Sequence, residues 1–462
     1  MSAKKLASAY RRKKLSPVEV VSAVVERIER LNPKLNAYCL VLAEQAHEEA
    51  RRAELAFRRN KKVEPLCGIP VSIKDLIFTR GIRTTGGSKI FERFIPDEDE
   101  GSVARLRAAG AIIVGKTNTP EFGYMAVTHN PLFGITRNPW NPDKTAGGSS
   151  GGAAAAIASG LAPLALGSDG GGSIRIPASF CGVFGFKPSY GRVPHLPGFP
   201  GWETLSHTGP LTRTVADAAL MMDIIAGPDD RDRYSLPALE TTYSGKFRGS
   251  LRGTKIAWSP DLGYATVEPE ILRLVSDAAH AFRKAGCRVK EVNPHFECPE
   301  ETFTTMVFCE YYAALSEHLD SWRDRMDAPL VKLIEIGKSL SARDYIQATF
   351  RRQQFHAEVQ KVFNEYDFLL TPTVAVPTFQ AGTMAPEDIA GKRLSPIGWM
   401  PFTYPFNLTG QPAASVPCGF TKDGLPVGLQ IIGRRHDDVG VLRLAASFEK
   451  LRPWADLAPP DH

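Results

Sequence analysis

Seven cysteines, an odd number with no C-x-x-C pair among them, are too few and too scattered for a disulfide framework or a zinc site, and a reducing cytoplasmic setting is expected. The N-terminal M-S-A-K-K-L-A-S-A-Y-R-R-K-K carries charge but lacks an apolar run of signal-peptide length. Ala153 to Leu166 is the apolar stretch that comes nearest to a membrane span. It is too short, and Ser159, Gly160 and Pro163 interrupt it, so no membrane partner is expected. An excess of one charge is missing as well. The 56 basic and 50 acidic side chains leave +6, spread along the chain, which points away from nucleic acid. The basic runs Arg11-Arg12-Lys13-Lys14 and Arg58-Arg59-Asn60-Lys61-Lys62 lie in helix-like contexts and read as solvated faces. Neither the G-x-x-x-x-G-K-[ST] phosphate loop nor the G-x-G-x-x-G dinucleotide fingerprint occurs. None of the ten histidines sits in a catalytic or ligand motif, His129 and His207 being loop residues, so no cofactor and no metal are expected.

What is present is glycine, concentrated around two serines. The stretch Lys144 to Arg175 holds nine glycines, most of them in two clusters, one enclosing Ser149 and the other Ser173. Such clusters cost backbone entropy and belong where main chain must approach something closely or adopt dihedrals that a Cβ forbids. A short alanine helix and the strand-like L-A-P-L-A-L between them return the second cluster to the end of the unit where the first began, which can set the two hydroxyls side by side. Upstream, Ile69, Val71 and Ile73 alternate with Pro70, Ser72 and Lys74, so a strand here carries Lys74 on the face opposite the aliphatics. Gly147-Gly148-Ser149-Ser150-Gly151 also matches the G-x-S-x-G nucleophile elbow. That motif needs an apolar strand before it, and R-N-P-W-N-P-D-K-T-A is not one.

Elsewhere the pattern alternates between helix and strand. Ser16, Pro17 and Glu19 predict a capped helix over 15–31; a charged helix follows over about 42–60, and Thr119-Pro120-Glu121 predicts the start of another. Residues 252–292 read as a βαβ-like unit, 299–365 as mostly helical, and the C-terminal part as strands before a final helix near 439–451. With 462 residues, 43% hydrophobic content and no repeat or low-complexity linker, one large α/β domain is expected.

The segments G-I-P-V-S-I-K-D, A-G-G-S-S-G-G and G-S-D-G-G-G-S-I-R-I-P-A-S-F-C-G closely resemble the amidase signature family of serine hydrolases, and the likeness runs over most of residues 15 to 451. This resemblance implies a central mixed β-sheet enclosed by α-helices, within a single amidase domain over 1–462. Its parts would be N-terminal helices (1–65), the signature core (66–230), a variable and largely helical region (231–365) and the C-terminal part of the core (366–462). It also implies a metal-free triad, with Ser173 as nucleophile, Ser149 as bridging serine and Lys74 as terminal base, and a cis peptide between Gly148 and Ser149. Lysine can serve as a base only when neutral, so its ordinary pKa of about 10.4 must be lowered by burial. The N–H groups of Gly170, Gly171, Gly172 and Ser173 are expected to form the oxyanion hole, and Asp169 and Arg175 to tie the loop together. Gly170 departs from the family pattern, in which a larger residue is usual, and its freedom leaves open whether the hole is rigid before substrate arrives.

Aromatic and aliphatic residues suggest the substrate. Phe199 and Trp202 in one loop, and Trp399, Met400 and Phe402 in another free of charged residues, are candidates to line a pocket for an apolar or aromatic group. The expected partner is a small-molecule amide, ester or carbamate (urethane), hydrolysed through an acyl-enzyme, and a homodimer is compatible with the sequence. Two alternatives stand beside this reading. One is the glutamine-hydrolysing subunit of a tRNA-dependent amidotransferase, for which an acidic residue is missing from the stretch before Asn407; the other is a catalytically silent binding protein on the same fold.

Overall fold

The computed structural model describes residues 1–59, 62–245 and 250–460. Asn60 and Lys61 of the second basic run lie outside the described residues; Arg11 to Lys14 are all exposed. Strands β1 (Tyr38–Val41), β2 (Pro70–Lys74) and β3 (Ile112–Thr117) come first, and β4 (Arg137–Asn138) and β5 (Asn141–Thr145) form a separate small hairpin. β6 (Leu164–Ser168), β7 (Phe184–Lys187) and β8 (Thr208–Thr212) follow. The C-terminal half adds β9 (Lys255–Trp258), β10 (Arg288–Glu291), β11 (Phe368–Pro372), β12 (Ala413–Phe420) and β13 (Pro426–Gly433).

Apart from the hairpin these strands form one eleven-stranded sheet in the order β1-β3-β2-β6-β8-β7-β12-β13-β11-β9-β10. It is mixed: β2 runs parallel to both β3 and β6, and β9 to both β10 and β11, while β6, β8, β7, β12 and β13 pair antiparallel. Both faces are covered, as strand periodicity requires. Ile69, Val71, Ile73, Leu164, Leu166, Leu370 and Ile431 belong to the core on one face. Their neighbours Ala165, Leu369 and Ile432 belong to cores on the other.

Local chemistry explains the elements that frame the site. The helix Pro17–Leu35 starts where Ser16 Oγ accepts from Glu19 N–H and the Glu19 carboxylate accepts from Ser16 N–H, the predicted capping box. The alanine helix Gly151–Ala158 is wholly buried, and side chains this small let its first turn touch backbone: a Cβ on Gly152 would stand 2.4 Å from Asn118 N. The segment ahead of Ser149 enters the β4–β5 hairpin and not the sheet, in keeping with its prolines and charges. One expected helix is a correction. After Pro120 only the single turn Glu121–Gly123 forms, because Phe122 (φ 49°) and Gly123 (φ 73°) take left-handed conformations that a helix cannot propagate. Among the described residues no helix is long and apolar enough to cross a membrane.

Candidate active site

Lys74 is the last residue of β2 and Ser168 the last of β6, and because these strands are parallel both side chains arrive at the same sheet end. Crevices outside the carboxyl ends of parallel strands are where open α/β sheets hold ligands. Lys74 is completely buried, and its Nζ donates to Ser149 Oγ at 2.6 Å and to Ser168 Oγ at 3.0 Å. Burial lowers its pKa to about 7, against the opposing pull of the Asp169 carboxylate. Ser149 follows Gly147 (φ 74°) and a cis Gly148–Ser149 peptide, and is 2% exposed.

The second glycine cluster is fastened to the first through Ser150. Its N–H donates to the Ser173 carbonyl at 3.1 Å and its Oγ to the Ser168 carbonyl at 3.1 Å. Ser173 lies beside Ser149 on the wall of one pocket. It is half-buried, and among the described residues its hydroxyl has no hydrogen-bond partner. The turn that carries it closes on Asp169, which is fully buried with Arg175 at 2.8 Å. Asp169 Oδ2 accepts from Ile174 N–H and Arg175 Nε; Asn407 Nδ2 and Gly172 N–H donate to Oδ1. Burial would raise the Asp169 pKa, but the Arg175 guanidinium overrides it and holds the carboxyl well below the ordinary carboxylate range. Arg175 in turn reaches Thr403 O, Gln430 Oε1 and Asn407 Oδ1.

Two sequence expectations need correcting here. Gly172 N–H points inward to Asp169 Oδ1 at 2.7 Å and cannot join an oxyanion hole; among the described residues the N–H groups of Gly170, Gly171 and Ser173 have no protein acceptor. Phe402 is completely buried in the core and lines neither pocket. The chain turns inward after Met400 so that Thr403 Oγ1 can donate to the Gly171 carbonyl at 2.7 Å, and Phe402 goes with it. Phe199 and Trp202 do line the pocket that holds Ser149 and Ser173. Trp202, Trp399 and Met400 line a second and larger one, of about 670 Å³, which also reaches Ser173. Trp202 separates the two. Its indole lies against Gly170, where a Cβ would stand 2.5 Å from Trp202 Cε3, and its Nε1 donates to Tyr311 Oη at 2.6 Å.

Sequence reasoning missed Ser150, Ser168, Thr403 and Asn407. Ser168 could have been found by aligning β6 with β2; the others depend on contacts between segments far apart in the chain. His207 is buried behind Asp169, its Nδ1 2.7 Å from Leu205 O, and His129 Nε2 lies 3.4 Å from Asp327. Among the described residues no group of three or more His, Cys, Asp or Glu side chains is arranged to hold a metal ion.

Against known proteins, the Amidase family profile matches residues 19–442. The chain is 42% identical over 468 residues to the acylamidase of Rhodococcus erythropolis, covering 100% of this chain and 97% of that protein. It is 36% identical to a glutamyl-tRNA(Gln) amidotransferase subunit of Chloroflexus aggregans, covering 96% of this chain and 95% of that protein. The crystal structure of a bacterial aryl acylamidase superimposes with a TM-score of 0.93 at 33% identity, covering 98% of this chain and 97% of that one. The chain belongs to the amidase signature family. It is an amide-hydrolysing enzyme with the family's mixed sheet.

Proposed function

We propose that the enzyme hydrolyses amides bearing an apolar or aromatic group through an acyl-enzyme on Ser173, with Ser149 as proton relay and Lys74 as base. The observation that carries this reading is the 2.6 Å contact from Lys74 Nζ to Ser149 Oγ, in a cavity wall shared with Ser173. A neutral lysine keeps two N–H donors and one lone pair, so it can donate to Ser168 while accepting from Ser149. As Ser173 Oγ bonds to the carbonyl carbon, its proton passes to Ser149, whose own proton passes to Lys74. The N–H groups of Gly170, Gly171 and Ser173 are free to receive the negative oxygen. On collapse the proton returns from Lys74 through Ser149 to the amide nitrogen, the C–N bond breaks and the amine departs. Water then attacks the ester, giving its proton to the same relay, and the acid leaves as Ser173 regains a proton.

The large pocket supports an apolar substrate. Its wall includes Met125, Phe303, Val307, Leu333, Ile397 and Trp399, and its one charged lining residue among those described is Lys332. That favours a stand-alone amidase over a glutamine-hydrolysing subunit, whose substrate needs partners for an ammonium and a carboxylate. Aryl esters and carbamates differ only in the leaving group and fit the same route. The test is release of acid from benzoyl and hexanoyl amides by the purified protein and by Ser173→Ala. Hydrolysis is expected from the first alone, and equal rates would overturn the assignment.

A further inference from the structure

The small pocket beside Ser173 holds about 80 Å³, against about 670 Å³ on the other side of Trp202. A cavity of about 150 Å³ is known to accept a benzene ring, so a ring is oversized here. Ser149 and Ser168 line the small pocket and not the large one, whereas the oxyanion turn borders both, through Gly170 on the small side and Gly171 on the large. A proton delivered by Ser149 can reach only a nitrogen that faces it. On the mechanism proposed above, the amine half of the amide therefore lies toward the small pocket and the acyl half toward the large one.

The wall of the small pocket contains a carboxylate that is hydrogen-bonded through one oxygen only. Glu100 is 4% exposed. Among the described residues its side-chain donors are the hydroxyls of Ser102 (2.7 Å) and Thr208 (3.1 Å), both to Oε1. Among those residues Oε2 has none, and no cation stands within ion-pair distance of the carboxylate, although His195 and Lys116 act on it from farther away. Lys116, buried nearby, gives its donors to Ile77 O, Thr79 Oγ1 and Thr84 Oγ1. His195 lines the same pocket, with Nδ1 3.3 Å from Asp232 Oδ2. Glu100 is on the wall of the cavity, so its unfilled acceptor Oε2 is available to a ligand that enters there. Burial also raises the Glu100 pKa to about 7, so the group is anionic above that value.

We infer that Glu100 is the recognition group of an amine-side subsite: the preferred amides release a small acyclic amine carrying a second hydrogen-bond donor, an ammonium before all, which Oε2 accepts. The assignment rests on the relay reading, and the experiment separates the two. N-(2-aminoethyl)benzamide, N-propylbenzamide and benzanilide share an acyl group and differ only in the amine. Benzoate release is followed for wild type and Glu100→Gln at a pH above the raised Glu100 value. Wild type is expected to favour the aminoethyl over the propyl amide by about tenfold or more in kcat/KM, with the anilide slowest. Glu100→Gln is expected to bring that ratio to about one while N-propylbenzamide is still cleaved. A wild-type ratio near one, or a ratio that survives Glu100→Gln, overturns the subsite and leaves the relay standing. Failure of wild type to cleave any of the three overturns both. Should Glu100→Gln not fold, wild type alone decides: 1,2-diaminoethane is expected to inhibit N-propylbenzamide turnover more strongly than propylamine, and equal inhibition overturns the proposal.

Discussion

On the proposed relay, the chemistry turns on the pKa of Lys74. It has no contact with solvent, burial lowers its pKa to about 7, and only the neutral form has a lone pair for the Ser149 proton. For a neutral amide kcat/KM is therefore expected to climb as pH rises through about 7 and then to level off. A profile flat across that range would remove Lys74 as the base. The same shift bears on stability. Between the folded value and the ordinary one of about 10.4, the unfolded chain keeps a proton on this lysine that the folded chain has shed, so raising the pH through that window stabilises the fold. Urea titrations should show this increment in the wild type and not in Lys74→Met. The lysine was legible because strand alternation sets it opposite Val71 and Ile73 and because G-I-P-V-S-I-K-D resembles the family motif. Glu100 was not, since nothing in D-E-D-E-G-S distinguishes the one acid that turns into a cavity from its three exposed or half-exposed neighbours.

At the scale of the element, the turn from Ser168 to Arg175 is held from both sides. From within, the Asp169–Arg175 pair is wholly buried, and each partner also bonds to the main chain of the turn or to the segment Thr403 to Asn407. Arg175→Met would leave a buried carboxylate without its cation, and a loss of about 3–5 kcal/mol in the unfolding free energy is expected by urea titration. A change under about 1 kcal/mol would mean that water replaces the guanidinium. From outside, the Trp202 indole occupies the place of a Gly170 side chain. Gly170→Ala should displace the ring from Tyr311 and depress kcat/KM, and the same change in a Trp202→Ala background should cost far less. A coupling of about 1–3 kcal/mol is expected from the four rates, and strict additivity would show that the two residues do not meet. The glycines and the ion pair could be read from the G-S-D-G-G-G-S-I-R motif. The reason for Gly170 could not, because its partner lies thirty-two residues on (202 − 170) in a loop without regular structure. Phe402 misled for the same reason: in a loop no alternation tells a pocket wall from a core side chain.

In the whole molecule, two bodies of residues meet at Ser173. The strands β2, β6 and β8 with the helices Gly151–Ala158 and Arg175–Cys181 hold the hydroxyls and the lysine. The helices Glu300–Leu315 and Ala328–Ser339 supply Phe303, Val307, Leu333 and Ile336 to the large pocket, and Pro396 to Met400 closes another side. Chemistry and specificity are thus separable, and sequence exposed the first better than the second. The motifs of residues 66–230 resemble those of a family, whereas 299–365 read only as mostly helical, which fixes the kind of element and not what the helices leave open between them. The division predicts how acyl length acts. Each methylene placed in an apolar wall contributes about 0.8 kcal/mol, a factor of roughly four in binding. Along a series of straight-chain acyl amides with one common amine, kcat/KM should therefore rise by up to about fourfold per carbon, until the chain outgrows the 670 Å³ available. Val307→Trp, which narrows that pocket from the helical side and lies outside the proposed triad, should move the maximum to shorter chains while leaving the shortest substrate's rate nearly unchanged. Were the maximum to stay in place, the acyl chain would have to lie elsewhere, and the division of the substrate across Trp202 would be reversed.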